Sequence, residues 1–261
     1  MAVSHGKKLT LSLNCNVSLA NSNCNNDAGF AHSYKERSLF GRRQGRVLGD
    51  MRQNALDNIL PKLEIPKDKL KLDGSTHPDE FFEQRHKEYW LEIGFGHGEH
   101  VSALMRKNPD TGYLAAEAFI NGMSAFLNDI KDDPHDNIRV LMDDAMIIAK
   151  SLTPDSLDGI YLLNPDPWHK KRHHKRRLIN QHNLDIFAKI LKSGGNLIMT
   201  SDVEDVSSWM CAHASNHPKF TWTAKSKDDW QTPPDDWITT RYETKGAKGA
   251  KKMVYLFFER K

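Results

Sequence analysis

Short apolar runs alternate with helically spaced apolar residues over much of this chain, the pattern of an α/β protein. YWLEI (89–93) reads as a buried strand, followed by a predicted helix from Glu99 to Lys107. GYLAAEAF (112–119), NIRVLM (137–142) and DGIYLL (158–163) read as three further strands. The last of them must stop before Pro165 and Pro167, which cannot donate to a ladder. Ile179, Leu184, Phe187, Ile190 and Leu191 mark a helix over 178–191, with Gly194 and Gly195 as its expected C-cap. NLIMTS (196–201), a helix over 203–214, a short strand beginning at Trp222 and a final strand MVYLFFER (253–260) complete the series. Upstream, Leu48, Met51, Ala55, Leu56, Ile59 and Leu60 predict a helix over 48–60, ended by Pro61 and read as a lid. Residues 1–31 are rich in Asn and Ser and lack periodicity, so a loosely ordered tail is expected. The chain thus divides into a tail (1–31), a basic loop and helix extension (32–88) and an α/β domain (89–261).

Composition narrows the class. A chain of 261 residues with 38% apolar content suits one α/β domain with additions. No apolar stretch approaches the roughly 18 residues of a membrane span, and Asn14 and Asn16 interrupt the N-terminal apolar run, which argues against a signal peptide. Cys15, Cys24 and Cys211 are odd in number and lack CxxC spacing, so neither a disulfide framework nor a zinc site is expected, and a cytoplasmic location is. The formal charge is only +3, but it is clustered. Residues 169–177, HKKRHHKRR, hold six Lys/Arg and three His, and Arg42, Arg43 and Arg46 lie among Gly41 and Gly45. Clustered cations point to a polyanion such as nucleic acid, although a solvated loop has the same composition.

Candidate chemistry gathers where the strands end. After the first strand comes GxGxG, Gly94, Gly96 and Gly98, a turn through which a backbone can approach a cofactor at a helix N-terminus. Glu117 follows about twenty residues later, where a carboxylate can accept both ribose hydroxyls of an adenosine-containing cofactor. Glu92 just before the turn and Glu99 in the place of a third dinucleotide-type glycine would repel a pyrophosphate. S-adenosylmethionine, with a sulfonium, an ammonium and no phosphate, suits them better. Asp143 and Asp144 end another strand, and Asp144 can reach adenine, cap a helix, or both. Asp166 and Trp168, in the PDPW that precedes the basic block, fall at a cleft position, as does Asp202, for which a helix N-cap is the alternative.

The residues LEIGFGHGEH, EAF, DDA, PDPWHKKRHHKRR, TSD and TRYE, in this order, resemble the bacterial tRNA guanine-N7 methyltransferase family. The resemblance covers most of the chain. It implies a Rossmann-like class I methyltransferase fold, with a mostly parallel twisted sheet, helices on both faces and an antiparallel C-terminal strand. It further implies methylation of guanosine 46 in the tRNA variable loop; separately, a monomer without an obligatory protein partner is expected. By matched motif, Glu92, Gly94, Gly96, Gly98, Glu117, Asp144 and Asp166 would bind the cofactor, with Asp166 also catalytic. Lys170, Asp202, Thr240, Arg241, Tyr242 and Glu243 would hold the substrate nucleotide. The clustering of charge assigns Arg42, Arg43, Arg46, Lys171, Arg172, Lys175 and Arg176 to the RNA backbone, and no metal is expected. Asn164 departs from the Phe common before PDPW and makes NPDPW an imperfect likeness of the motif of enzymes that methylate exocyclic base amines. That activity, and a non-catalytic RNA-binding protein on the same scaffold, are the alternatives.

Overall fold

The computed structural model describes residues 40–133, 136–245 and 252–261, so the tail expected over 1–31 lies outside the described residues. The chain runs through α1 (Asp50–Asn58), α2 (Leu60–Leu63), β1 (Glu88–Ile93), α3 (Glu99–Lys107), β2 (Thr111–Ala116), α4 (Ile120–Ile130) and β3 (Ile138–Leu141). It continues through α5 (Ala145–Ser151), β4 (Leu157–Leu163), α6 (Gln181–Ile190), β5 (Leu191–Ser201) and α7 (Glu204–Ser215). The last elements are β6 (Phe220–Trp222), α8 (Asp228–Gln231), α9 (Arg241–Lys245) and β7 (Val254–Arg260).

The strands form one sheet in the order β3-β2-β1-β4-β5-β7-β6. The first five pair in parallel, β7 runs antiparallel to β5, and β6 antiparallel to β7. From β1 the chain steps outward through β2 and β3, then returns to the other side of β1 as β4. Beyond the carboxyl ends of β1 and β4, neighbouring connections therefore diverge to opposite sides, and a crevice opens between them.

Side-chain alternation along β2 divides the core in two. Tyr113 and Ala115 join Val101, Met105, Met123, Phe126, Ile138 and Val140 on one face. Leu114 and Ala116 join Leu91, Ile93, Ile160, Leu162, Leu184, Phe187, Met199 and Met210 on the other. Every residue of β2 is buried, as expected for a parallel strand covered by helices on both faces. Among the described residues no helix is long and apolar enough to cross a membrane.

Several expectations are corrected. Pro61 does not end the N-terminal helical stretch: it sits in the first turn of α2, where a missing N–H costs nothing. The expected lid helix is a core element, since Ala55, Leu56 and Leu60 are buried in one cluster with Met123, Phe126 and Leu127 of α4. Gly194 and Gly195 do not cap α6, whose C-cap is Leu191; they lie within β5, where the register against β4 shifts between Leu157 and Gly159. Trp222 ends β6 rather than beginning a strand. Asp202 is not the N-cap of α7, a position that Val203 holds without a side-chain bond.

Asn137 carries unusual weight at the start of β3. Its Nδ2 donates to the carbonyls of Met105 (3.1 Å), Asn108 (3.2 Å) and Thr111 (3.1 Å), tying the end of α3 and the start of β2 together. Asn137→Ala leaves buried acceptors without this donor, and we expect a loss of about 2–3 kcal/mol in folding stability. Denaturant unfolding with an unchanged midpoint would show that solvent or neighbours take over those bonds.

Candidate active site at the carboxyl edge of the sheet

The loop that follows β1 makes the floor. Gly94, Gly96 and Gly98 have φ values of 69°, 61° and 83°, a region that side-chain-bearing residues rarely occupy. The three differ in purpose. A Cβ at Gly98 would lie 2.3 Å from the Phe126 ring, so this glycine allows α3 and α4 to pack. A Cβ at Gly94 or Gly96 would meet nothing within 4 Å, so these two present backbone to open space, as a ligand's approach requires.

Glu117, just beyond β2, ties this turn to the next strand. One carboxylate oxygen accepts the Gly96 N–H at 2.7 Å and the other the Phe119 N–H at 2.7 Å. Burial raises its pKa, against the lowering effect of these hydrogen bonds, and Asp166 adds like-charge repulsion. The Asp166 carboxyl is itself raised by desolvation, although the residue as a whole is exposed on the lip of the cleft. After β3, Asp144 caps α5 by accepting the Met146 N–H at 2.9 Å, and Asp143 stands 3.9 Å from Arg43. Glu117, Asp143, Asp144 and Asp166 all line a cleft of about 460 Å³, whose outer wall includes Phe40, Gly41, Arg42, Arg43, Trp168 and Arg176.

A second cleft, about 440 Å³, lies on the other side of the glycine turn. It is lined by Glu92, Gly94, Gly96, Asn164, Thr240, Arg241 and Tyr242 among others, and it shares Gly94, Leu163 and Asn164 with the first. Asn164, the departure from the family pattern, therefore stands at the junction, with φ 49° and a buried Oδ1 that has no partner. Glu92 is not open to a ligand along its whole carboxylate: it pairs with His100 at 2.8 Å, both side chains 3% exposed. The Tyr242 hydroxyl donates to Asp202 Oδ1 at 3.5 Å, and the Thr240 Oγ1 accepts the Glu243 N–H at 3.2 Å. Burial raises the Glu243 carboxyl, whose Oε2 accepts the Trp237 indole N–H at 3.1 Å.

The basic block divides. Lys170, Lys171, Arg172 and Lys175 are exposed, with residues 171–176 forming a 3₁₀ turn, and none of these four lines either cleft. Arg177 is buried, donates to the Pro167 carbonyl at 3.1 Å and to Asp205, and stacks 5.0 Å from the Trp209 centroid. It fastens the PDPW loop to α7 and faces no solvent. Arg42, Arg43 and Arg46 are exposed on a loop that α4 holds in place.

Three anchoring residues escaped sequence reasoning. Asn121 accepts the Gly45 N–H at 2.7 Å and donates to the Arg46 carbonyl at 2.8 Å. Trp237 packs edge-on to Tyr255 at 5.2 Å and lies 5.6 Å from His100, so it seats the TRYE segment against the sheet. Phe40 stands 6.4 Å from Trp168. Only the aromatic character of Phe40 and Trp237 offered a signal; Asn121 offered none, because its partners are main-chain groups some 75 residues away.

A glycine turn after β1, an acid after β2, and clefts at the reversal of strand order define the class, a Rossmann-like class I methyltransferase fold. Residues 86–256 match the family described as "Putative methyltransferase". The chain is 37% identical over 227 residues to the tRNA (guanine-N(7)-)-methyltransferase of Rhodospirillum rubrum, covering 87% of this chain and 89% of that one. It is 38% identical over 226 residues to the enzyme of the same name from Brucella anthropi, covering 86% and 95%. A structure of an S-adenosylmethionine-dependent O-methyltransferase from Thermotoga maritima is a remote likeness, with 13% identity, a TM-score of 0.44 and coverage of 81% of this chain and 71% of that one. The chain belongs to the tRNA (guanine-N(7)-)-methyltransferase family.

The double bridge at Glu117 is testable without any ligand. Glu117→Gln replaces one acceptor by an NH₂ that must face a backbone N–H, and we expect a loss of about 1–2 kcal/mol in unfolding free energy. A raised midpoint would instead mean that relief of the buried charge outweighs the lost bond.

Proposed function

We propose that this protein transfers a methyl group from S-adenosylmethionine to N7 of guanosine in tRNA, at position 46 of the variable loop. One observation carries this beyond family membership: an acid-lined cleft and a second cleft share Gly94, Leu163 and Asn164, so that a donor in one and a base in the other can meet. The acidic walls fit the donor, whose methyl is carried on a cationic sulfonium and which bears no phosphate. Glu117 is our candidate for the ribose hydroxyls and Asp144 for the adenine side; Gly94, with Glu92 and Gly96 just across the junction of the two clefts, is the candidate for the amino-acid end, and Gly98 gives the turn its shape.

Guanine N7 has a lone pair and no proton, so no general base is needed and orientation with electrostatics must carry the rate. Asp166 is the candidate catalytic group, because a carboxylate beside the path stabilises the positive charge that the purine acquires. Thr240, Arg241 and Tyr242, which line the second cleft, are candidates to hold the extruded base, with Asp202 and Glu243 behind them and the exposed Lys170 a candidate for the rest of the nucleotide. Arg42, Arg43, Arg46, Lys171, Arg172 and Lys175 are candidates for the phosphates around it. All of these groups belong to one chain, so a monomer suffices, and a tRNA substrate is consistent with a cytoplasmic enzyme.

Two measurements test this. Incubation of tRNA with S-adenosylmethionine should give 7-methylguanosine, and the fixed charge should make position 46 labile to borohydride followed by aniline. Asp166→Asn should lower the rate at least about tenfold, or ~1.4 kcal/mol, with the fold intact. A methylated product that resists scission would instead indicate attack on an exocyclic amine.

Binding of tRNA should weaken with salt, with log affinity falling against log salt at a slope of about −3 to −4 if four phosphates are neutralised. Neutral substitution of Arg42, Arg46, Lys171 and Lys175 together should flatten that slope. Equal slopes for wild type and variant would move the RNA surface elsewhere.

A further inference from the structure

We propose that Arg176 is a positioning residue that clamps a strap, residues 40–46, across the donor cleft, and that it is not one of the phosphate contacts. Its guanidinium carbon stands 4.6 Å from the Phe40 ring centroid and 4.9 Å from that of Trp168. Its Nε is buried with no hydrogen-bond partner. The neighbouring cations Lys171, Arg172 and Lys175 are exposed, whereas Arg176 is half-buried against two aromatic faces.

The strap is held differently at its two ends. At the far end the Arg43 carbonyl accepts the Ile120 N–H at 2.9 Å, and Asn121 binds the main chain of Gly45 and Arg46. Directional hydrogen bonds to the start of α4 thus fix residues 43–46. At the near end Phe40 packs against Trp168 and Arg176. Between these ends Gly41, at φ 132°, runs beside Asp166, where an added Cβ would lie at ordinary contact distance, 3.7 Å, from its Oδ2. Phe40, Gly41, Arg42 and Arg43 all line the cleft, so release of Phe40 opens the outer wall beside the proposed catalytic carboxylate.

A planar guanidinium can lie against both rings at once, whereas a lysine ammonium keeps the charge but loses that shape. This separates the clamp from a phosphate contact, which lysine can replace. The assignment of the cleft to S-adenosylmethionine underlies the consequence for binding, so one readout is chosen to be independent of it.

Arg176→Lys, Arg176→Ala and Phe40→Ala are compared in the full-length protein. Arg176→Lys and Phe40→Ala should each weaken S-adenosylhomocysteine binding by about tenfold in calorimetry, and the double variant should lose little more than either alone. Arg176→Lys should leave the salt slope for tRNA unchanged. In the ligand-free protein, trypsin should cut after Arg42 or Arg43 faster in Arg176→Lys, Arg176→Ala and Phe40→Ala than in wild type, with the sites identified by mass. Full rescue by lysine of product binding and of protease resistance, together with a flattened salt slope in Arg176→Ala, would overturn the clamp in favour of a phosphate contact. Equal cleavage rates in all proteins would overturn it too. Failure of the wild type to bind S-adenosylhomocysteine would sink the donor assignment, while the cleavage rates would still decide the clamp.

Discussion

Two backbone N–H groups, from Gly96 and Phe119, converge on one carboxylate, and the site is built around that bridge. Glu117 joins the turn after β1 to the segment after β2. Burial makes the charge costly and the two hydrogen bonds make it tolerable. The turn can take this shape because Gly94, Gly96 and Gly98 accept positive φ. A carboxylate held in this way has further lone pairs, so it can serve the turn and a ligand at once.

Around that bridge, charge is sorted by sign and by depth. Glu117, Asp143, Asp144 and Asp166 line the first cleft, Arg42, Arg43 and Arg176 stand on its outer wall, and the exposed Lys170, Lys171, Arg172 and Lys175 lie outside it. An acidic interior suits a cationic donor, and a basic exterior suits an anionic polymer. The sorting costs the chain two of its cations: Arg177 holds the PDPW loop to Pro167 and Asp205, and Arg176 lies against Phe40 and Trp168. Arg177 is thereby a structural residue, and the clamp proposed above makes Arg176 a second, although composition alone counts both toward RNA.

The TRYE segment shows how far a motif can be from its scaffold in sequence and how close in space. Trp237 packs on Tyr255 of β7 and on His100 of α3, and its indole holds Glu243. Tyr242 reaches Asp202 at the end of β5. Of these residues Tyr242 lines the second cleft, together with Thr240 and Arg241.

Periodicity alone made the α/β alternation legible, and α3 has the predicted bounds, because strands buried between helix layers are continuously apolar and helices are apolar on one side. The glycine spacing and the acids near strand ends were likewise readable, since main-chain geometry and charge are properties of the residue types themselves. Where prediction failed, long-range packing outweighed local signals. Gly194 and Gly195 look like a helix cap but serve a register shift in β5, and residues 48–60 look like a lid but bury Ala55 and Leu56 against α4. Two arginines side by side, Arg176 and Arg177, cannot be told from their exposed neighbours in a string of letters. Tertiary structure decided their roles, because a cation's role depends on which ring, carbonyl or solvent the folded chain brings to it.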